Sequence, residues 1–118
     1  MLFRSQKQKD GKIVLTGIGT STGVVTAPAC VLNSPADFES FQPGSVLVAV
    51  TTTPAWTPLF SSASAIVTDI GGPLSHSSIV AREYGIPAVM ATHIATRAIK
   101  SGQMITVDGL AGTVTFDE

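Results

Sequence analysis

Short apolar segments, each no longer than a β-strand, constrain the fold of this chain more than any other feature. Residues 45–50 (SVLVAV), 65–69 (AIVTD) and 87–90 (PAVM) have the length of buried strands. The first is an uninterrupted apolar run, typical of a strand covered on both faces. Between these runs we predict two short helices, one from Pro54 to about Ser61 and one from Ser75 or Ser77 to Tyr84, where Gly85 ends it.

The rest of the chain continues this alternation. Strands are predicted at residues 13–18 and 24–32, a turn at 20–23 and a helical turn at 35–41. Pro28 favours an edge strand or a bulge, since proline cannot donate a ladder hydrogen bond. A helix is predicted at 92–100, and a closing hairpin from 104–107 and 112–116. We therefore expect an α/β fold with compact layers of sheet and short helices.

Composition limits the function classes. The 118 residues carry a net charge of −1 and are 44% hydrophobic, which suits one domain at residues 12–118 after a flexible leader at 1–11. No basic surface for nucleic acid is expected. Because the leader lacks an apolar stretch and no run is long enough to span a membrane, we expect a cytoplasmic chain with no membrane partner.

Residues 68–91 (TDIGGPLSHSSIVAREYGIPAVMA) carry the strongest functional signal. They follow the order strand, glycine loop, histidine, helix, glycine stop and strand, which places His76 at a helix N-terminus. The first N–H groups of a helix have no intrahelical partner, and the helix dipole makes that end positive. An anionic group on the imidazole of His76 would therefore be stabilised there, and His76 becomes the candidate nucleophile.

Neighbouring residues are candidates for holding the ring or the anion, each with a structural alternative. Ser75, Ser77 and Ser78 could donate hydrogen bonds to a phosphate, although Ser75 or Ser77 could equally cap the helix. Asp69 could orient the imidazole, or cap its own turn. Two glycines, Gly71 and Gly72, would let another protein surface approach. Arg82 could contact phosphate or a docking partner, or pair with a surface charge.

The segment GGPLSHSSIVAREYGIPAV resembles the phosphohistidine segment of the mobile domain of phosphoenolpyruvate (PEP)-utilising enzymes. The similarity extends upstream through TGIGTSTGVVTAPACVL and GSVLVAVTTTPAWTPLF, and downstream to GQMITVDGLAGTVTF. Members include phosphoenolpyruvate synthase, pyruvate phosphate dikinase and rifampin phosphotransferase. The resemblance implies a swivelling β/β/α fold with His76 at the phosphorylated position. Leu74 is a departure, since many members have threonine two residues before this histidine.

The family resemblance implies a phosphocarrier. His76 would accept a phosphoryl group from an ATP-grasp nucleotide-binding partner, or from phosphoenolpyruvate, and pass it to pyruvate or another small molecule. ATP and Mg²⁺ are then expected on partner domains, with no cofactor on this domain. The domain would be a phosphotransferase component that is inactive without its partners.

Other functions were weighed from the same residues. A Ser–His–Asp hydrolase is disfavoured because adjacent Ser75 and His76 seldom align as nucleophile and base. Two histidines without a carboxylate motif give no metal site, and His93 is expected to be a surface or cap residue. One hypothesis stays open beside the carrier: a binding or regulatory module that docks a partner without phosphotransfer. A swivelling domain like those of dehydratases is a weaker alternative, because the GGPLSH segment argues against it.

Overall fold

A continuous sheet forms the framework of the protein, as seen in a computed structural model that describes residues 5–7 and 11–117. In the described part, the strands are ordered β1-β2-β9-β8-β4-β5-β6-β7-β3. Their bounds are β1 Ser5–Lys7, β2 Lys12–Thr16, β3 Ile18–Ser21, β4 Val24–Val31, β5 Val46–Ala49, β6 Ala65–Thr68, β7 Ala88–Met90, β8 Met104–Asp108 and β9 Thr113–Asp117.

The helices are short, as the sequence predicts. Their bounds are α1 Thr57–Phe60, α2 His76–Tyr84 and α3 Ala95–Ala98, with 3-10 turns at Pro35–Ser40 and Pro54–Trp56. Gly85 ends α2 in the left-handed conformation at φ 70°, which glycine adopts without steric cost. The helix predicted at 92–100 was too long, because Ala91 and His93 take positive φ values of 58° and 71° and prevent helical geometry before Ala95.

The sheet has an antiparallel half and a parallel half that share β4. Strand β4 pairs antiparallel with β8 from Val24 to Pro28, and parallel with β5 from Ala29 to Val31. The expectation that Pro28 marks an edge strand or bulge was wrong. Pro28 is the last residue of β4 that pairs with β8, and the pairing with β5 begins at the next residue. Its missing N–H therefore falls at the end of both ladders and not in the middle of either.

Two apolar cores lie on the two faces of the parallel half. On β5, Val46 and Val48 belong to the core shared with the antiparallel half, and Leu47 belongs to the core beneath α1 and α2. All four residues of β5 are buried, as expected for a strand covered on both faces. The layered α/β class predicted from the sequence is therefore confirmed.

Other predicted boundaries also differ from the structure. The predicted strand at 13–18 is divided at Gly17, and residues 20 and 21, expected in a turn, belong to β3. Residues Ser5–Lys7, placed in the flexible leader, pair with β2 as strand β1. The remaining leader residues, 1–4 and 8–10, lie outside the described residues, as does residue 118.

Candidate phosphohistidine site

The topology brings His76 to the carboxyl edge of the parallel half. Strands β5 and β6 are parallel neighbours, so the segments that follow them emerge at the same edge. The segment after β5 carries Thr52 and Thr57, and the loop after β6 leads to His76, the first residue of α2. This edge is where ligands gather in open α/β sheets.

Two threonine hydroxyls hold the imidazole of His76. Thr52 Oγ1 lies 2.9 Å from Nδ1, and Thr57 Oγ1 lies 3.1 Å from Nε2. Phe60 packs against the ring edge to face, with centroids 5.8 Å apart and planes at 84°. Since a hydroxyl can donate or accept, these contacts fit a neutral imidazole in either tautomer.

The two ring nitrogens have different surroundings. Thr52, at Nδ1, is buried with 5% of its surface exposed, and its hydroxyl makes a short hydrogen bond with that of Ser77, which is 1% exposed. Thr57, at Nε2, is only partly buried. Of the two ring nitrogens, Nε2 is therefore the one whose hydrogen-bond partner is less buried.

The N-terminus of α2 leaves donors available for an anion. The helical ladder begins with Ile79 N–H donating to Ser75 O at 3.0 Å, so the N–H groups of the preceding first turn lie outside the ladder. Ser75 occupies the N-cap position with φ −71° and ψ 159°, yet its side chain makes no capping hydrogen bond. Backbone donors at the positive helix end thus stand beside the ring.

Ser75 and Ser78 fix the glycine loop rather than the ring. Ser75 Oγ donates to Gly72 O at 2.8 Å, and Ser78 Oγ lies 2.7 Å from the same carbonyl. Ser78 Oγ also lies 2.9 Å from Thr20 Oγ1 of β3. Of the three serines predicted to contact ring or phosphate, Ser77 joins the hydroxyl network around His76, and the other two shape the loop before it.

Arg82 holds the same loop from the other side. Its guanidinium donates to the carbonyl oxygens of Thr20 at 3.0 Å and Pro73 at 2.7 Å. These contacts differ from the phosphate contact and from the surface ion pair that were considered from the sequence. Arg82 instead joins the glycine loop to β3 through two backbone acceptors.

The structure contradicts the prediction that Asp69 orients the imidazole. Its carboxylate accepts from Thr96 N–H at 3.0 Å, and it makes a short hydrogen bond with the Thr96 hydroxyl. The Asp69 carbonyl accepts from His93 N–H at 2.9 Å. Asp69 therefore anchors the segment that enters α3, and the ring-orienting role belongs to Thr52 and Thr57.

The glycine loop presents an open surface next to the histidine. A Cβ on Gly72 would meet no atom within 4 Å, whereas Gly71 has φ 128°, a conformation that favours glycine. Leu74 is 85% exposed, although Leu74 and Ile79 occupy the two positions of a hydrophobic staple around the N-cap. The loop therefore offers backbone and one apolar side chain to solvent beside His76.

Thr52 and Thr57 were not predicted as site residues from the sequence. A signal for them was present, because the run TTTPAWT directly follows a buried parallel strand, at the sheet edge that also carries His76. His93, by contrast, is exposed and lies away from this network, in agreement with its predicted surface position.

Neither a metal-binding cluster nor a membrane-spanning helix occurs in the described part of the chain. No group of three or more His, Cys, Asp or Glu side chains could hold a metal ion among residues 5–7 and 11–117. Within the same ranges, no helix has both the length and the apolar character needed to cross a membrane.

Comparison with known proteins gives the family. Residues 41–112 match the family described as PEP-utilising enzyme, mobile domain. The chain is 47% identical over 110 residues to the uncharacterised phosphotransferase YvkC of Bacillus subtilis strain 168, covering 93% of this chain and 13% of that protein. It is 42% identical over 108 residues to a probable phosphoenolpyruvate synthase of Archaeoglobus fulgidus, covering 92% of this chain and 14% of that protein.

A solved structure shares this fold. The solution structure of an Enzyme I protein (nEIt) aligns with a TM-score of 0.56 and 36% sequence identity, covering 63% of this chain and 31% of that one. The chain spans about one eighth of the length of the two relatives named above, so it corresponds to one part of much longer proteins. Its fold, its sequence and the histidine at the start of α2 agree, and the chain belongs to the mobile-domain family of PEP-utilising enzymes.

Proposed function

We propose that this chain is a phosphocarrier domain in which Nε2 of His76 accepts a phosphoryl group and later donates it. The observation that carries the proposal is the unequal surroundings of the ring. Nδ1 is closed off by the buried hydroxyl of Thr52, while Nε2 meets only the partly buried Thr57. A fixed imidazole with one less enclosed nitrogen is the arrangement that a nitrogen nucleophile needs.

The N-terminus of α2 supplies the second part of the carrier. A phosphoryl group on the imidazole brings negative charge close to the first N–H groups of the helix, which are free to donate and carry positive partial charge. Because the ladder begins only at Ile79, these donors need not break a helical hydrogen bond to bind the anion. The helix would thereby stabilise the loaded form of the domain.

The transfer itself is a displacement at phosphorus. The Nε2 lone pair forms the N–P bond as the P–O bond of the donor breaks, and the electron pair of that bond leaves with the donor oxygen. A partner of ATP-grasp type, carrying ATP and Mg²⁺, or phosphoenolpyruvate on a second partner, would supply the group. Pyruvate or another small molecule would accept it in the reverse displacement.

Transfer between two partners requires the domain to move as a unit. The chain spans 13% of the Bacillus subtilis phosphotransferase that it resembles, so the active sites would lie on other parts of such an enzyme or on separate subunits. The open glycine loop and exposed Leu74 would form the surface that enters those sites.

Mass spectrometry at alkaline pH tests the proposal, because the N–P bond is labile in acid. The domain is incubated in one arm with ATP, Mg²⁺ and its cognate ATP-grasp partner, and in the other with phosphoenolpyruvate, Mg²⁺ and its PEP-binding partner. We expect a gain of one phosphoryl group that His76→Ala abolishes. His93→Asn is the matched control, since this exposed residue has positive φ, which asparagine tolerates, and it should leave the gain unchanged.

Two results would overturn the carrier function. One is no gain of mass in either arm, and the other is an equal gain in the His76→Ala variant. If the domain nevertheless bound its partner equally well with and without His76, the non-catalytic binding module would replace the carrier as the better hypothesis.

A further inference from the structure

A buried pair of hydroxyls lies behind the inner nitrogen of the histidine. Thr52 Oγ1 contacts both Nδ1 of His76 and the hydroxyl of Ser77. Thr52 is 5% exposed and Ser77 is 1% exposed, so water does not readily replace either partner. The three groups form a short chain in which each hydroxyl has a single proton to donate.

The direction of this hydrogen-bond chain is linked to the tautomer of the imidazole. If Thr52 donates to Nδ1, the single proton of the neutral ring is on Nε2, and Nε2 has no lone pair for attack. If Nδ1 carries the proton and donates to Thr52, Nε2 keeps its lone pair. In that second arrangement the Thr52 proton needs another acceptor, and Ser77 Oγ is the acceptor in contact.

We propose that Ser77 is a positioning residue for the carrier histidine: by accepting from Thr52 it allows Nδ1 to hold the proton and leaves the Nε2 lone pair unprotonated, where the Thr57 hydroxyl can donate to it until the phosphoryl donor arrives. This inference rests on the proposed function of His76. During transfer, Nε2 forms the N–P bond, the leaving group departs with the electron pair of its bond to phosphorus, and Nδ1 keeps its proton. The hydrogen bond that Nδ1–H donates to Thr52 then stabilises the positive charge that the ring gains.

The other serines of the helix start do not have this role. Ser75 Oγ donates to the carbonyl of Gly72, and Ser78 Oγ lies within hydrogen-bond distance of Gly72 O and Thr20 Oγ1. Both residues are directed to the glycine loop, so only Ser77 of the three contacts the hydroxyl that meets the ring.

The variant Ser77→Ala tests this role without disrupting the fold. Alanine is more favourable than serine in a helix, so the variant should fold. Without Ser77 Oγ, Thr52 satisfies its buried O–H by donating to Nδ1, which moves the ring proton to Nε2. Ser77→Thr restores a hydroxyl at the same position and should restore the original tautomer. Ser78→Ala is the control, because it also removes a serine hydroxyl, but one that is not part of the hydrogen-bond chain behind His76.

Long-range ¹H–¹⁵N spectra of the isolated domain at alkaline pH, where the imidazole is neutral, report the tautomer directly. We expect the ¹⁵N shifts of His76 to move towards the Nε2–H form in Ser77→Ala and to return in Ser77→Thr. The signals of His93 should not change in either variant. Identical His76 shifts in wild type and Ser77→Ala would overturn the inference.

Reaction with phosphoramidate, a small phosphoryl donor, measures the effect on nucleophilicity without any partner. We expect Ser77→Ala to react about tenfold more slowly, the size of one net hydrogen bond, and Ser77→Thr to recover the rate. Equal rates in wild type and Ser77→Ala would also overturn the inference. If the shifts and rates change as expected but no partner phosphorylates wild type, the carrier function fails while the role of Ser77 stands.

Discussion

Thr52 and His76 are joined by a 2.9 Å contact between Oγ1 and Nδ1, although they stand 24 residues apart in the chain. The parallel pairing of β5 with β6 brings them together, because each follows the carboxyl end of one of these strands. The orientation of the ring therefore depends on the sheet as well as on the helix that begins with the histidine. This dependence makes Thr52 the most informative residue to change.

Replacing Thr52 by valine should slow phosphorylation more than it harms the fold. Valine keeps the shape of threonine but leaves Nδ1 and the Ser77 hydroxyl without their shared partner. We expect a loss of about 1–2 kcal/mol in the free energy of unfolding, because buried polar groups lose a hydrogen bond. The phosphorylation rate should fall by about tenfold or more, for the same reason.

Urea unfolding and timed mass spectrometry measure these two effects. Thr106→Val is the control, since Thr106 also shares a hydroxyl contact, with Thr26 at 2.8 Å, but does so on the exposed face of the antiparallel half. A Thr52→Val domain that is phosphorylated at the wild-type rate would contradict the role given to this contact.

Asp69→Asn should destabilise the protein without affecting phosphorylation. The carboxylate holds Thr96 through its N–H and its hydroxyl, and charge-assisted hydrogen bonds are stronger than neutral ones. We expect a loss of about 1–2 kcal/mol in the free energy of unfolding and an unchanged rate at His76. Thermal unfolding and the phosphorylation assay check the two parts, and a large loss of rate at full stability would restore Asp69 as a site residue.

Arg82→Met should loosen the glycine loop. Methionine keeps most of the apolar stem but removes the two donors to the carbonyl oxygens of Thr20 and Pro73. We expect faster amide hydrogen exchange in residues 71–75 and about 1 kcal/mol less stability. Arg97→Met, which removes an exposed cation from α3, is the matched comparison. Equal exchange in the two variants would show that Arg82 does not hold the loop.

Alanine should destabilise the protein at one glycine and leave its stability almost unchanged at another. At Gly109 the new Cβ would overlap the carbonyl oxygen of Ser21, whereas at Gly72 it would meet no atom within 4 Å. We expect Gly109→Ala to lower the free energy of unfolding by about 3 kcal/mol and Gly72→Ala to change it by less than about 0.5 kcal/mol. Chemical denaturation measures both values, and similar stability in the two variants would contradict the close approach at Gly109.

The central elements could be predicted from sequence because local signals agreed there. The apolar run that contains β5 had strand length, and the helix that begins at His76 was followed by Gly85, which takes the left-handed conformation that ends it. In both places composition, length and turn residues supported the same structure. The fold class and the position of His76 at a helix start follow from those signals.

The contacts of the histidine could not be predicted in the same way. Thr52 and Thr57 lie far from His76 in sequence, and their meeting depends on which strands are neighbours and in which register. Asp69 was chosen because it is close in sequence, yet the chain turns after β6 so that its carboxylate faces Thr96. Sequence proximity was a poor guide to side-chain contact at this edge.

The position of strand β4 between the two halves of the sheet affects how the protein unfolds. The first five residues of β4 pair with β8 and its last three pair with β5, so this one strand joins the two halves of the sheet. Melting of the antiparallel half would expose the shared apolar layer that also covers the parallel strands. The histidine end and the far hairpin should therefore denature in one concerted transition, and a carrier of this design would travel between its partners as a rigid body.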